Sequence, residues 1–213
     1  VPVYPRPRVA VLATGDEVVE PEIEPPVGYV RDSNRYAIIE AVREAGGQDV
    51  LFLARHGYGL ASPPHGVNYR ANLWALKDHG VDRVVSVATV GGIHPDLIPG
   101  TLVIPDQIID YTHGRAATYF VESDKPVTHL DFTFPYCDAM RAALLQAALS
   151  AGISLRDGGV YGAAQGPRLE TAAEINRMER DGADMVGMTG MPEAYLAREL
   201  SLCYAAVGVV VNH

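Results

Sequence analysis

The chain has 213 residues, and its 26 acidic side chains outnumber 17 basic ones for a formal net charge of −9. That balance excludes the basic face on which nucleic-acid binding depends. Hydrophobic residues at 48% and charged residues at 20% are ordinary globular usage, which excludes a disordered chain, and no apolar run reaches the ~18 residues of a membrane span.

In chain order, the apolar run Val9-Ala10-Val11-Leu12-Ala13 ends at Thr14-Gly15-Asp16 and predicts a buried strand entering a tight loop. Residues 21–28 are rich in Pro and Glu and read as loop. Asp32 or Ser33 can cap a helix that runs to Ala45 and stops at Gly46-Gly47. Residues 50–54 form a second strand, and a glycine- and proline-rich loop leads to a helix over 68–79, with Leu73, Trp74 and Leu76 as its core side. Strands follow at 84–90 and 101–104. The polar stretch 110–133 is a long functional or interface loop. The remainder reads as helix 138–151, strand 159–164, helix 170–181, strand 183–188, helix 192–199 and a last strand, 203–211. Such alternation specifies one α/β domain over 1–213, with a mostly parallel sheet covered by helices.

Cys137 and Cys203 lack a CxxC spacing, so they read as two separate, reduced thiols of a cytoplasmic protein. The histidines lack metal-ligand spacing, and no zinc site is expected. The N-terminus has neither Met nor a signal-peptide core, so the chain reads as a fragment or processed form.

Three stretches carry chemistry. Arg55-His56-Gly57 follows a strand directly, the place where open α/β sheets bind ligands, and supplies donors for an anion. Alone, it is also what a surface arginine and a loop histidine look like. Val90-Gly91-Gly92 runs a strand into glycines that let backbone N–H groups approach a ligand, or merely turn the chain. Gln165-Gly166-Pro167-Arg168-Leu169-Glu170-Thr171 and Gly187-Met188-Thr189-Gly190-Met191-Pro192-Glu193 both lead from strand to helix, and helix N-termini favour anions. For Glu170 and Glu193 the plainer reading is stabilisation of a helix's first turn.

Together with Pro63-Pro64-His65, the run 67–77, residues 99–112 and Pro126-Val127-Thr128-His129-Leu130-Asp131-Phe132, these stretches make residues 50–213 resemble the methylthioadenosine and methylthioinosine phosphorylases, a purine nucleoside phosphorylase family. The resemblance implies a three-layer nucleoside-phosphorylase architecture and a pentosyltransferase activity in purine salvage. Phosphate attacks C1′ of a purine nucleoside and releases the base and a ribose 1-phosphate. It implies phosphate as co-substrate, no cofactor or metal, and a cytoplasmic homotrimer with 110–133 at the subunit contact. Arg55, His56, Thr189 and the backbone around Thr89 would hold phosphate, with Val90 and Gly91 beside them. Met188 would lie on the ribose, His65 near the sugar and Leu169 against the purine. Glu170 and Asn212 would act on the base: family members carry Asp at the last strand's end for adenine and Asn for 6-oxopurines. Asn212 therefore points to inosine or S-methyl-5′-thioinosine, since an amide both donates and accepts.

Residues 1–48 resemble instead a segment of the molybdopterin molybdenumtransferases, through the Thr14-Gly15-Asp16-Glu17 loop and Arg31-Asp32-Ser33-Asn34. This suggests a chimera: a strand-loop-helix segment over 1–48 joined to a phosphorylase-like body over 49–213 that lacks the family's C-terminal helix. Thr14 would then replace the family's phosphate loop. Two other readings follow, a folded but inactive chimera and a molybdopterin-binding protein.

Overall fold

In the computed structural model of the chain, which describes residues 9–13, 18–19, 30–31, 50–57, 62–121 and 128–213, the apolar runs become strands of one sheet. Strands β1 (Val9–Ala13), β4 (Val50–Ala54) and β5 (Arg83–Gly92) lie parallel, with β1 between the other two. Two short strands, β2 (Val18–Val19) and β3 (Val30–Arg31), pair only with each other. Then come β6 (Leu102–Ile104), β7 (Gln107–Asp110), β8 (Leu155–Asp157), β9 (Val160–Ala163), β10 (Met185–Gly187) and β11 (Cys203–Asn212). The helices are α1 (Tyr69–Asp78), α2 (Asp138–Ser150), α3 (Ala172–Arg180) and α4 (Gly190–Glu199).

The main sheet has nine strands in the order β7-β9-β10-β5-β11-β6-β8, with β1 and β4 branching from β5. Pairing is parallel except for β10 with β5 and β11 with β6. Strand β5 is the axis of the branch. On one side it runs beside β11 from Arg83 to Gly91; on the other its first residues meet β1, and Gly91 and Gly92 meet β10. The sheet therefore splits where β5 ends, and that split opens a crevice at the strand ends.

Local chemistry places the helices as the sequence suggests. Asn68 caps α1, its side chain accepting from the Ala71 amide at 3.0 Å. Thr171 and Glu174 form a capping box on α3. Leu73 and Leu76, one turn apart, enter the core with Leu196 and Ala197 of α4. Trp74, expected with them, is 57% exposed, because the next residue on a helix faces about 100° away; its ring meets Tyr119 at 5.9 Å between centroids.

Three other expectations are corrected. Cys137 and Cys203 are not separate thiols but a disulfide joining residues 66 apart, from the N-cap of α2 to the start of β11. Strands β7 and β8 were not anticipated. They are the two ends of the sheet order, three or four residues long and partly polar, so their pairing rather than their composition makes them strands. The loop 21–28 and the helix over 32–45 lie outside the described residues. Among the described residues no helix is long and apolar enough to cross a membrane.

Among the described residues the interior holds one charged knot. Arg55, leaving β4, donates from Nε and Nη2 to the Glu193 carboxylate of α4 at 2.5 and 2.9 Å, and from Nη2 to Ser86 Oγ of β5 at 2.6 Å. Tyr204 of β11 donates to the same carboxylate at 2.8 Å. Arg55 is 3% exposed and Glu193 2%. Burial works against the Arg55 charge, but the Glu193 carboxylate more than offsets it and holds the guanidinium above its ordinary range. The buried Tyr204 phenol is likewise pushed up and remains a donor.

Removing one partner of such a pair strands a buried charge, at about 3–5 kcal/mol. Glu193→Gln should lower the calorimetric Tm by about 6–20 °C for a chain of this size; a shift within 2 °C would show the pair to be dispensable. Opening the disulfide restores chain entropy to the unfolded state, by at most about 4 kcal/mol for a 66-residue loop. A reductant should therefore lower Tm, and an unchanged transition would mean that this bond adds nothing to stability.

Candidate active site

The crevice at the split holds a cavity of about 210 Å³, open to solvent. Its walls come from five places: His56 and Pro64 after β4, Ala88, Thr89, Val90 and Gly91 at the end of β5, Leu169 and Glu170 before α3, Val186 to Thr189 at the end of β10 and just past it, and Val211 and Asn212 at the end of β11. These walls are drawn from a span of more than 150 residues; the C-terminal ends of the parallel strands β5 and β11 meet here, and β10 joins them antiparallel to the end of β5.

Each wall has a local cause. His56 is 8% exposed, and its Nδ1 lies 2.8 Å from the Ser62 carbonyl. A carbonyl only accepts, so Nδ1 carries hydrogen and Nε2 is left for the cavity side chemistry. Thr189 is 5% exposed and occupies the N-cap position of α4, yet its side chain makes no capping bond, so its hydroxyl is not spent on the helix. Its amide meets Tyr161 Oη at 3.4 Å. Met191 breaks the helical dihedrals at φ −119°, ψ 141°, so the regular turns begin at Pro192 as the sequence suggested.

At the far end of β11 the register slips between Val210 and Asn212, so that Val211 is left out of the ladder and Asn212 comes opposite Gly91. Gly91 suits this close approach: a Cβ would stand a tight 3.1 Å from Asn212 Oδ1 and 3.2 Å from Val186 Cγ1. Gly92 is more constrained still, since its Cβ would fall on the Leu97 carbonyl. The glycines expected to admit a ligand thus also let two strands and a loop close together.

The cavity gathers His56, Thr89, Val90, Gly91, Leu169, Glu170, Met188, Thr189 and Asn212 from the predicted set. Glu170 precedes the N-cap Thr171, so it does not serve the first turn of α3; Glu174 does. Two predicted residues are not in the lining. His65 is exposed on a 3-10 turn, Pro64–Gly66, where Pro64 takes the lining place. Arg55 stands behind the wall, held by Glu193 and Ser86, and only Nη1 lacks a partner. Thr14 lies outside the described residues. A buried unpaired N–H costs about 1–3 kcal/mol, which an anion accepting from Nη1 would remove.

Sequence reasoning missed Pro64, Ala88, Val186, Gly187 and Val211 of the lining. All but Val186, two residues before Met188, adjoin a residue it named, so extending each motif by one or two residues would have found them. It also missed Arg115, which no motif marks. The acceptors of Arg115 are the carbonyls of Met188, Met191, Ala164 and Gln165, together with the Gln165 side chain and Tyr69 Oη.

Comparison with known proteins bears on the whole arrangement. The family model described as the phosphorylase superfamily matches residues 7–213. A probable S-methyl-5′-thioinosine phosphorylase of Pseudomonas syringae pv. tomato is 54% identical over 166 residues, covering 78% of this chain and 68% of that protein. A probable 6-oxopurine nucleoside phosphorylase of Thermococcus kodakarensis is 42% identical, covering 97% of this chain and 79% of its own length. Among solved structures, a methylthioadenosine phosphorylase from Schistosoma mansoni in complex with tubercidin superposes with a TM-score of 0.79 at 28% identity, over 97% of this chain and 80% of that one. Because the family match begins at residue 7, a molybdenumtransferase origin for residues 1–48 has no support. With its mixed, mostly parallel sheet and its strand-end cavity, the chain belongs to the phosphorylase superfamily.

Proposed function

We propose that this chain catalyses phosphorolysis of a 6-oxopurine nucleoside, S-methyl-5′-thioinosine or inosine, to the free purine and a ribose 1-phosphate. The observation that carries the reading is the meeting, in one cavity, of two unlike groups of side chains. His56, Thr89 and Thr189 offer donors, and Glu170 and Asn212 offer an acceptor and an amide. An anion and a heterocycle with both donor and acceptor edges suit those two groups.

In this reading orthophosphate lies against His56, the Thr189 hydroxyl and the backbone at Thr89–Gly91. Arg55 acts from behind, through its unpaired Nη1. An oxygen of phosphate forms the new bond to C1′ while the C1′–N9 bond breaks, and its electron pair leaves with the purine. In net terms the proton of monohydrogen phosphate passes to the base, which departs neutral. Met188 packs on the ribose between the two groups, and Leu169, 69% exposed, covers the purine face. Glu170 accepts from N1–H, and the Asn212 amide donates to the purine as negative charge develops on it. A donor aimed at charge that appears only in the transition state contributes about 10²–10³ in rate. Phosphate is a co-substrate, and the step balances without a metal or other cofactor.

The same reading assigns a homotrimer, with 110–133 at the contact. Trp74, Phe120 and Val121, 57%, 41% and 65% exposed, form the apolar surface there. It also assigns the cytoplasm, where the Cys137–Cys203 bond is unusual because thiols are kept reduced.

The test is cleavage of S-methyl-5′-thioinosine, inosine and S-methyl-5′-thioadenosine, each with and without phosphate. Turnover of the two 6-oxopurine nucleosides only when phosphate is present is expected; a folded chain that turns over none of the three removes the proposal. Asn212→Asp replaces the amide donor with an acceptor. It should cut kcat/KM for inosine by about 10²-fold or more and shift preference toward the 6-aminopurine. An unchanged preference would separate Asn212 from base recognition.

A further inference from the structure

We propose that Arg115 is the positioning residue of this site, fixing the spacing between the wall that carries Met188 and Thr189 and the wall that carries Leu169 and Glu170. The proposal rests on the phosphorolysis reading for what the spacing accomplishes, and on geometry for the spacing itself.

Arg115 comes from the polar segment after β7 and is not itself in the cavity lining; of the lining residues it bonds only the main chain of Met188. Its guanidinium nevertheless reaches both walls. Nη1 donates to the carbonyls of Met188 at 2.8 Å and Met191 at 2.6 Å, bracketing Thr189. Nη2 donates to the carbonyls of Gln165 at 2.8 Å and Ala164 at 3.3 Å, where β9 hands over to the turn toward Leu169 and Glu170. Nε donates to Gln165 Oε1 at 3.2 Å, and that oxygen also accepts from the His113 amide at 3.1 Å. A third wall is tied more loosely. Nη1 lies 3.4 Å from Tyr69 Oη, which donates to the carbonyl of the cavity residue Pro64 at 2.8 Å. The Tyr69 phenol is raised by burial and keeps the proton it donates.

All five N–H groups of the guanidinium are thus engaged, and every acceptor named is neutral. Charge-assisted bonds to carbonyls are about twice as strong as neutral ones, and the planar fork fixes direction as well as distance. A lysine has three donors on a flexible stem and cannot span both carbonyl pairs. Both tied segments carry backbone that is not regular secondary structure: residues 164–171 between β9 and α3, and 188–191 between β10 and the regular turns of α4. The β9–β10 ladder joins the two segments only where they begin, ending with the Ala164 amide on the Gly187 carbonyl at 2.8 Å; beyond that bond it is the arginine that spans them.

For a reaction between two bound molecules, this separation is the effective concentration of one at the other, and an error of about 1 Å costs about 10²-fold in rate. The loss should therefore fall on kcat more than on the binding of either ligand alone.

The experiment compares the parent chain with Arg115→Lys and Arg115→Ala well below the Tm of each. Phosphorolysis of inosine is measured beside separate calorimetric binding of hypoxanthine and of orthophosphate. Arg115→Ala should lose about 10²-fold in kcat while each binding constant changes less than about fivefold, and millimolar ethylguanidinium should restore part of kcat. Arg115→Lys should recover only part of the rate. A merely structural role would lower Tm and leave kcat per folded molecule, and its response to ethylguanidinium, unmoved; that outcome overturns the proposal. Hydrogen exchange over 164–170 and 188–191 supplies a second readout. Both segments should exchange faster in Arg115→Ala, and parent-like protection in both also overturns it. If the parent turns over no nucleoside, the phosphorolysis reading fails by itself, and the exchange result still decides whether Arg115 sets the spacing.

Discussion

The buried pair between Arg55 and Glu193 is the constraint on which the rest depends. Its four participants stand on four different elements: Arg55 after β4, Ser86 on β5, Glu193 on α4 and Tyr204 on β11. A hydrophobic contact tolerates sliding, whereas a bidentate ion pair out of water does not, because each displaced hydrogen bond leaves a charge exposed to low dielectric. The pair therefore fixes the height of α4 against the sheet. Since α4 begins at Gly190, it also fixes where Thr189 and Met188 stand at the strand ends.

The two arginines near the site divide the work by their partners. Arg55 faces a carboxylate, so the charges largely cancel beyond the pair, and what it gives the crevice is geometry; its one unpaired nitrogen, Nη1, is buried. Arg115 faces only neutral acceptors among those named, so its charge remains uncompensated by them while its hydrogens are used. An acidic chain of net charge −9 thus keeps a cation beside the crevice without presenting it to solvent as a basic patch. That is how the global charge can exclude nucleic acid and still permit a single anion.

Much of the fold was legible because its principal strands, β1, β4, β5 and β11, are largely apolar runs of five to ten residues. The extents of β1 and β4 coincide with the apolar runs, and Asn68, Thr171 and Pro192 mark helix starts as capping chemistry requires. What failed lay where neighbours decide. β7 and β8 are strands because β9 and β6 offer them edges. Trp74 is apolar yet outside, and Cys137 and Cys203 are brought together by α2 meeting β11, which no spacing announces. In the site, residues carried by strand-end motifs arrived in the cavity, whereas Arg55 moved behind it because Glu193, 138 residues away, claims two of its nitrogens.

Arg115 shows why the remainder was illegible. A motif records residues that touch a ligand, since their types are limited by the ligand's chemistry. A residue that binds backbone carbonyls answers to the path of the chain instead, and carbonyls are the same whatever the sequence around them. Its acceptors lie 49 to 76 residues along the chain and include three of four from loops. Nothing short of the folded path states that an arginine must stand there. The segment 110–133 was expected to serve a neighbouring subunit, and it carries Arg115 within it. An arrangement of this kind makes the internal spacing of the crevice depend on how that segment is held.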